Sequence, residues 1–208
     1  MPTANKNRGK IISFIIALVL FIIGNFIQRH YEKQQGTIEG LMAEVEKKQE
    51  QFLKNTLLAK SQFAEGQLFI TLGLMTADAM HPAENVFIPI QQNMTQGLDL
   101  LNLTTPPSTQ PDNQQQIDNV KSAFTTSIQQ TGDISGPFTE AVALFNKLAG
   151  QAAVHEQTLA DQLKTYRADK QKLQSASNII LWINTIILLI QLFFSSFYEM
   201  ITEKKEAA

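Results

Sequence analysis

The chain has 208 residues, room for one modest domain with accessory segments. Only 17% of them are charged, against about 25% in soluble proteins, and the formal net charge is −2. Its composition excludes a collagenous or largely disordered chain, and with no Cys it also excludes disulfides, thiolate metal sites and cysteine nucleophiles.

Residues 1–10 form a tail with Lys6, Arg8 and Lys10 and no acid. Residues 11–27 then read IISFIIALVLFIIGNFI without a charge. A helix rises ~1.5 Å per residue and a bilayer core is ~30 Å thick, so about 17–25 apolar residues suffice to cross. The run is apolar all round rather than on one face, which predicts a transmembrane helix over 11–28 and not a core helix. It also exceeds the ~7–15 apolar residues of a signal peptide. With no small-x-small cleavage site before Gln28-Arg29-His30-Tyr31, an uncleaved anchor is expected.

From 29 to 60 an ascending stalk helix is expected. Tyr31, Ile38, Val45, Phe52 and Ala59 recur every seven residues, the seam of a helix packed on a partner helix. Glu44 with Lys48 and Glu50 with Lys54 stand in the favourable i, i+4 order on its exposed faces. Residues 63–80 are too apolar for a single seam but carry Glu65, Gln67 and Asp78, which hydrocarbon would reject. A helix buried by several neighbours fits them, stopped at His81-Pro82. A second helix follows over 83–103, with Pro89 as its kink or its true start. Residues 104–111, TTPPSTQP, read as a loop. Asp112 with Gln115 reads as a capping box opening a helix to about Gln130. Thr131-Gly132 closes that helix, and Ser135-Gly136-Pro137 opens the last.

The last helix carries its own seven-residue stripe, Phe138, Phe145, Ala152, Leu159, Tyr166 and Leu173. It descends as a second stalk helix over 157–178 and enters a second chargeless run, IILWINTIILLIQLFFSSFY, over 179–198, with 199–208 as a tail. Trp182 and Tyr198 lie near opposite ends of that run, at headgroup level. At ~1.5 Å per residue the two long helices differ by about 15 Å outside the membrane, which a bend at Gly36, Gly40, Gly66 or Gly73 absorbs. The expected fold is therefore all-α: two transmembrane helices continuing into an antiparallel stalk capped by a four-helix bundle, 61–156.

Charge is unevenly placed. Residues 61–156 hold Lys121 and Lys147 against nine acids, a net of −7 that leaves +5 for the remainder. Glu65, Asp78 and Glu84 mark an acidic head surface suited to a cation or a basic partner. With no Arg there, a bidentate clamp for carboxylate or phosphate is excluded, and nucleic acid is not an expected partner. The basic first tail favours cytoplasmic termini, placing 29–178 outside the cytoplasm of a two-pass cell (inner) membrane protein.

Chemistry-bearing patterns are absent. His30, His81 and His155 lack ligand spacing, and no GxxxxGK[ST], GxGxxG or GxSxG occurs. No enzyme activity, cofactor or metal is expected. Asn93-Met94-Thr95 and Asn102-Leu103-Thr104 match glycan acceptors, a short pattern that also arises by chance. Within the apolar runs, Asn25 and Asn184 lie at similar depth and are placed to hydrogen-bond each other. Gln191 falls near mid-bilayer opposite Ile16 and Ala17, which cannot satisfy its amide. A second copy or another membrane protein would do so.

This order of span, long helix, two shorter helices, long helix and span resembles the four-helix-bundle sensor domains of bacterial chemoreceptors and sensor kinases. The resemblance covers nearly the whole chain and implies a helical extracytoplasmic head. Those receptors continue into a cytoplasmic signalling module, whereas only 200–208 follow here, and their carboxylate-binding arginines have no counterpart. The expected role is a non-enzymatic membrane-anchored interaction or adaptor protein. The alternative is an extracytoplasmic sensor of a cationic ligand that signals through a separate membrane partner, the ligand itself being unknown.

Overall fold

The computed structural model describes the backbone of 3–76, 84–130 and 133–206, and the side-chain surroundings of 14–70, 87–130 and 133–193. The chain is all-α, with α1 (Thr3–Thr76), α2 (Glu84–Asn102), α3 (Gln110–Gln130) and α4 (Ser135–Glu206), and no strand among the described residues. The expected stops at His81-Pro82 and Thr131-Gly132 lie outside the described residues. Pro89 is accommodated inside α2 rather than starting it. Lacking an N–H, it leaves one carbonyl of the preceding turn without its helical donor.

Two compact units divide the chain, one formed by Glu44–Leu163 and the other by Met1–Ala43 with Lys164–Ala208. In the first, one core draws side chains from all four helices: Phe52, Ala59 and Phe63 from α1, Ile90 and Leu98 from α2, Ile117 and Phe124 from α3, and Ala141 and Leu148 from α4. Ile90, Leu98, Ile117, Phe124 and Leu148 are fully enclosed, and each such side chain contributes roughly 1.5–3 kcal/mol by leaving water. The Phe63 and Phe145 rings stack at 4.1 Å between centroids, joining the two helices that carry the heptad stripes. The expected head, 61–156, lies within this unit, and Phe52 and Ala59 extend its core toward smaller residue numbers on α1.

Glycines let α1 and α2 come close. A Cβ on Gly97 would meet the Ala59 carbonyl oxygen at 2.9 Å, and one on Gly66 would meet Met94 Cγ at 2.6 Å. Gly66, one of the four glycines offered for a bend, is a point of close approach.

The ends of α3 and α4 show where capping differs from expectation. α3 begins at Gln110, two residues before Asp112. The Thr109 carbonyl accepts the first helical bond, from Asn113 N–H at 3.1 Å. Pro111 then falls in the first turn, where its missing N–H costs nothing, and Asp112 sits against the positive end of the helix. α4 begins at Ser135, as expected. The acid before it does the capping: Asp133 Oδ1 accepts the Ser135 N–H at 2.9 Å.

Along α1 the shielded positions advance by alternating steps of four and three, from Ala17 through Phe21, Gly24, Gln28 and Tyr31 to Phe63 and Gly66. From Tyr166 onward α4 does the same through Lys170, Leu173, Ser177, Ile180, Asn184, Ile187 and Gln191. All the heptad residues singled out from the sequence, Phe138 to Leu159 of α4 included, are shielded. Of the expected surface pairs, Glu44–Lys48 forms at 2.7 Å, whereas among the described residues Glu50 and Lys54 make no ion pair.

Two helices are long and apolar enough to cross a membrane, near the chain's two ends. Only 11% of the most apolar window of α1 and 6% of that of α4 is buried. A core helix of a water-soluble protein would be mostly enclosed.

Candidate functional site

The unit Met1–Ala43 with Lys164–Ala208 contains the three carboxamide residues of the apolar runs, Asn25, Asn184 and Gln191. Asn184 is 8% exposed, and its carboxamide lies directly on Gly24, at a place where a glycine Cβ would overlap it. Asn25, the residue expected to bond it, is half-buried beside this contact, and among the described residues no hydrogen bond joins the two amides. One residue along a helix is a 100° turn, so the residue beneath Asn184 is Gly24 and not its neighbour. Sequence reasoning missed Gly24; its signal was the only glycine in an otherwise bulky run. In the same unit Lys170 Nζ lies 2.8 Å from Glu39 Oε1.

Gln191 is half-buried on the same row as Asn184, and among the described residues its carboxamide has no hydrogen-bond partner. Around it the span is bare: Leu188 is 41% exposed, Leu192 66% and Phe193 76%.

Of the acidic set, Glu65 is exposed on α1. Asp78 lies outside the described residues, and Glu84 opens α2 with its side chain outside them. Two other acids of the unit are engaged, Lys121 Nζ reaching Asp99 at 3.0 Å and Asp118 at 3.7 Å. Among the described residues no three His, Asp or Glu side chains gather where a metal ion could be held. A shallow open cleft beside Val120 and Leu144 is lined by Gln116, Glu140 and Lys147, and Lys147 Nζ donates to Gln116 Oε1 at 2.8 Å.

The polar chemistry of the unit Glu44–Leu163 is concentrated where α2 turns into α3, and it is spent internally. His155 Nδ1 lies 2.9 Å from the Thr104 carbonyl, which accepts only, so that nitrogen carries the proton. Its ring meets Phe52 edge-on at 6.2 Å. Asn113 Nδ2 donates to Gln151 Oε1 at 2.7 Å, and Thr105 Oγ1 donates to the Asn102 carbonyl at 2.7 Å. Asn102, Thr104, Thr105 and Asn113 are all buried. These bonds dock the loop on α4. The carbonyl partner of His155, 51 positions away, was not legible in the sequence.

Two carboxyls are held below their ordinary range. Asp133 is lowered by the backbone N–H of Ser135 and then by that residue's side chain, and Glu44 by its hydrogen bond from Lys48 and then by the charge of that ammonium.

Comparison with known protein families, with curated proteins and with solved structures finds no match for this chain.

Proposed function

We propose that this chain is a non-enzymatic, two-pass membrane protein that works by association, its hairpin of spans docking on another transmembrane segment. The observation that carries this reading is the pair of bare apolar windows at the two ends of a chain whose middle closes on a filled core. Water would not tolerate so much exposed Ile, Leu and Phe, and lipid solvates it. The contacts of Gly24 with Asn184 and of Glu39 with Lys170 support an antiparallel pairing, since the partner number falls as the α1 number rises. The same two helices run on into the core of the other unit, as an antiparallel stalk bearing a four-helix, acidic head requires. The basic tail at Lys6, Arg8 and Lys10 supports cytoplasmic termini in the cell (inner) membrane and an extracytoplasmic 29–178.

Association falls to the spans because Gln191 is a polar group deep in a lipid-facing run. An unpaired amide in hydrocarbon costs several kcal/mol. Replacing Gln191 with Leu removes that need without removing bulk, so the yield of crosslinked oligomer or co-purified membrane partner falls. Unchanged association in the Gln191→Leu chain contradicts the reading.

A further inference from the structure

We infer that the transmembrane partner is a second copy of this chain, joined through reciprocal hydrogen bonds between the two Gln191 side chains. This rests on the membrane-association reading above and names its partner. Stepping seven residues from the Gly24–Asn184 contact in opposite directions brings Ala17 and Gln191 to one level. Ala17 is 7% exposed and offers Gln191 neither donor nor acceptor. Among the described residues the hairpin therefore supplies packing at this level and no hydrogen bond. Counted from the centre of 179–198, Gln191 lies about 4 Å from the midplane, too deep to reach water. Asn184, 8% exposed, is enclosed against Gly24 and so is not open to a second copy, and Asn25 lies near the end of its run.

Depth and chemistry select the occupant. A foreign helix must carry a polar group at this one depth, whereas a second copy inserted the same way carries one there by construction. A two-fold axis along the membrane normal sets each residue at its partner's level. A carboxamide has one acceptor oxygen and an NH2 with two donors, so two of them satisfy each other in both directions. The pair is self-complementary, and the site is incomplete without the other copy.

The natural chain has no Cys, so a single Leu188→Cys, one helical turn from Gln191 on its exposed side, reports contact between copies without background. Two differently tagged full-length chains are co-expressed, the membranes are washed at alkaline pH, and oxidation and co-capture are both scored. Expected is a disulfide-linked dimer carrying both tags, reduced roughly three- to thirtyfold by Gln191→Leu, the range measured for interhelical hydrogen bonds in bilayers, and recovered in large part by Gln191→Asn. Leu189→Ala, which removes lipid-facing bulk only, leaves the yield unchanged. Dimer that persists undiminished in Gln191→Leu overturns the inference. Membrane-retained chain that never captures the second tag also overturns it and leaves association with a different membrane protein standing. Chain released by the alkaline wash overturns both readings together.

Discussion

Close contacts at single residues decide how tolerant each unit is. The Asn184 carboxamide occupies the space over Gly24, so Gly24→Val forces the hairpin apart, at a cost of about 1–3 kcal/mol as for other overpacked contacts. Asn184→Ala in the same chain vacates that space and recovers most of the loss. Denaturation of the four chains of this double-mutant cycle in detergent measures the coupling, and additive effects would contradict the contact. At the start of α4, Asp133 has a folded-state carboxyl below its ordinary range, so its charged form is the stabilising one. That contribution is complete above the ordinary carboxyl range and disappears as pH falls through the lowered value. Asp133→Asn keeps an acceptor for Ser135 without titrating, so its acid unfolding profile should be flatter than that of the natural chain below the ordinary carboxyl range. Identical profiles would refute this assignment. Burial also bears on the sequons. Asn102 is 4% exposed with its Nδ2 directed at the Gln110 carbonyl, so a glycan there is incompatible with this fold.

The four elements differ in how much of them sequence alone could reveal. The heptad stripes of α1 and α4 were legible over their whole length, because period is a local property and every residue from Tyr31 to Ala59 in the first stripe is shielded. The cap of α3 lies three residues earlier than the capping-box reading places it. Asp112 and Gln115 have the spacing of a capping box, but Thr109 takes the capping position because its carbonyl meets Asn113 N–H while its own N–H returns to Pro106. A Pro-Pro loop that folds back on itself is hard to see in a linear pattern. Glycine placement was readable only with partners in view. Gly97 faces the Ala59 carbonyl and Phe63, so Gly97→Ala pushes α1 and α2 apart and destabilises by about 1–3 kcal/mol. Gly36 and Gly40 have nothing within 4 Å of an added Cβ, so alanine at either stabilises by roughly 0.5–1 kcal/mol through helix propensity alone. Thermal unfolding of the single variants checks both signs, and a destabilising Gly36→Ala would show that a partner covers that face.

At the scale of the whole molecule, one physical contrast carries the account. The unit Glu44–Leu163 gathers apolar side chains from all four helices into one enclosed core and satisfies its buried amides internally, as a protein in water does, while Leu57, Leu68 and Val154 stay on its surface. The runs near the two ends instead leave Phe14, Phe26, Trp182 and Phe193 between 64% and 76% exposed, beside an asparagine and a glutamine that water would normally serve. Both runs were plain in the sequence, since a chargeless stretch of this length needs no tertiary knowledge to be recognised. What sequence could not show is that these faces stay uncovered once the chain has folded on itself. Hydrocarbon is the solvent that fits them. The most direct test is alkaline extraction of membranes from cells expressing the full-length chain, followed by high-speed sedimentation without detergent. The account predicts that the chain stays in the pellet and is released only by detergent. Recovery of folded chain in the supernatant would contradict it, together with the docking role assigned to Gln191.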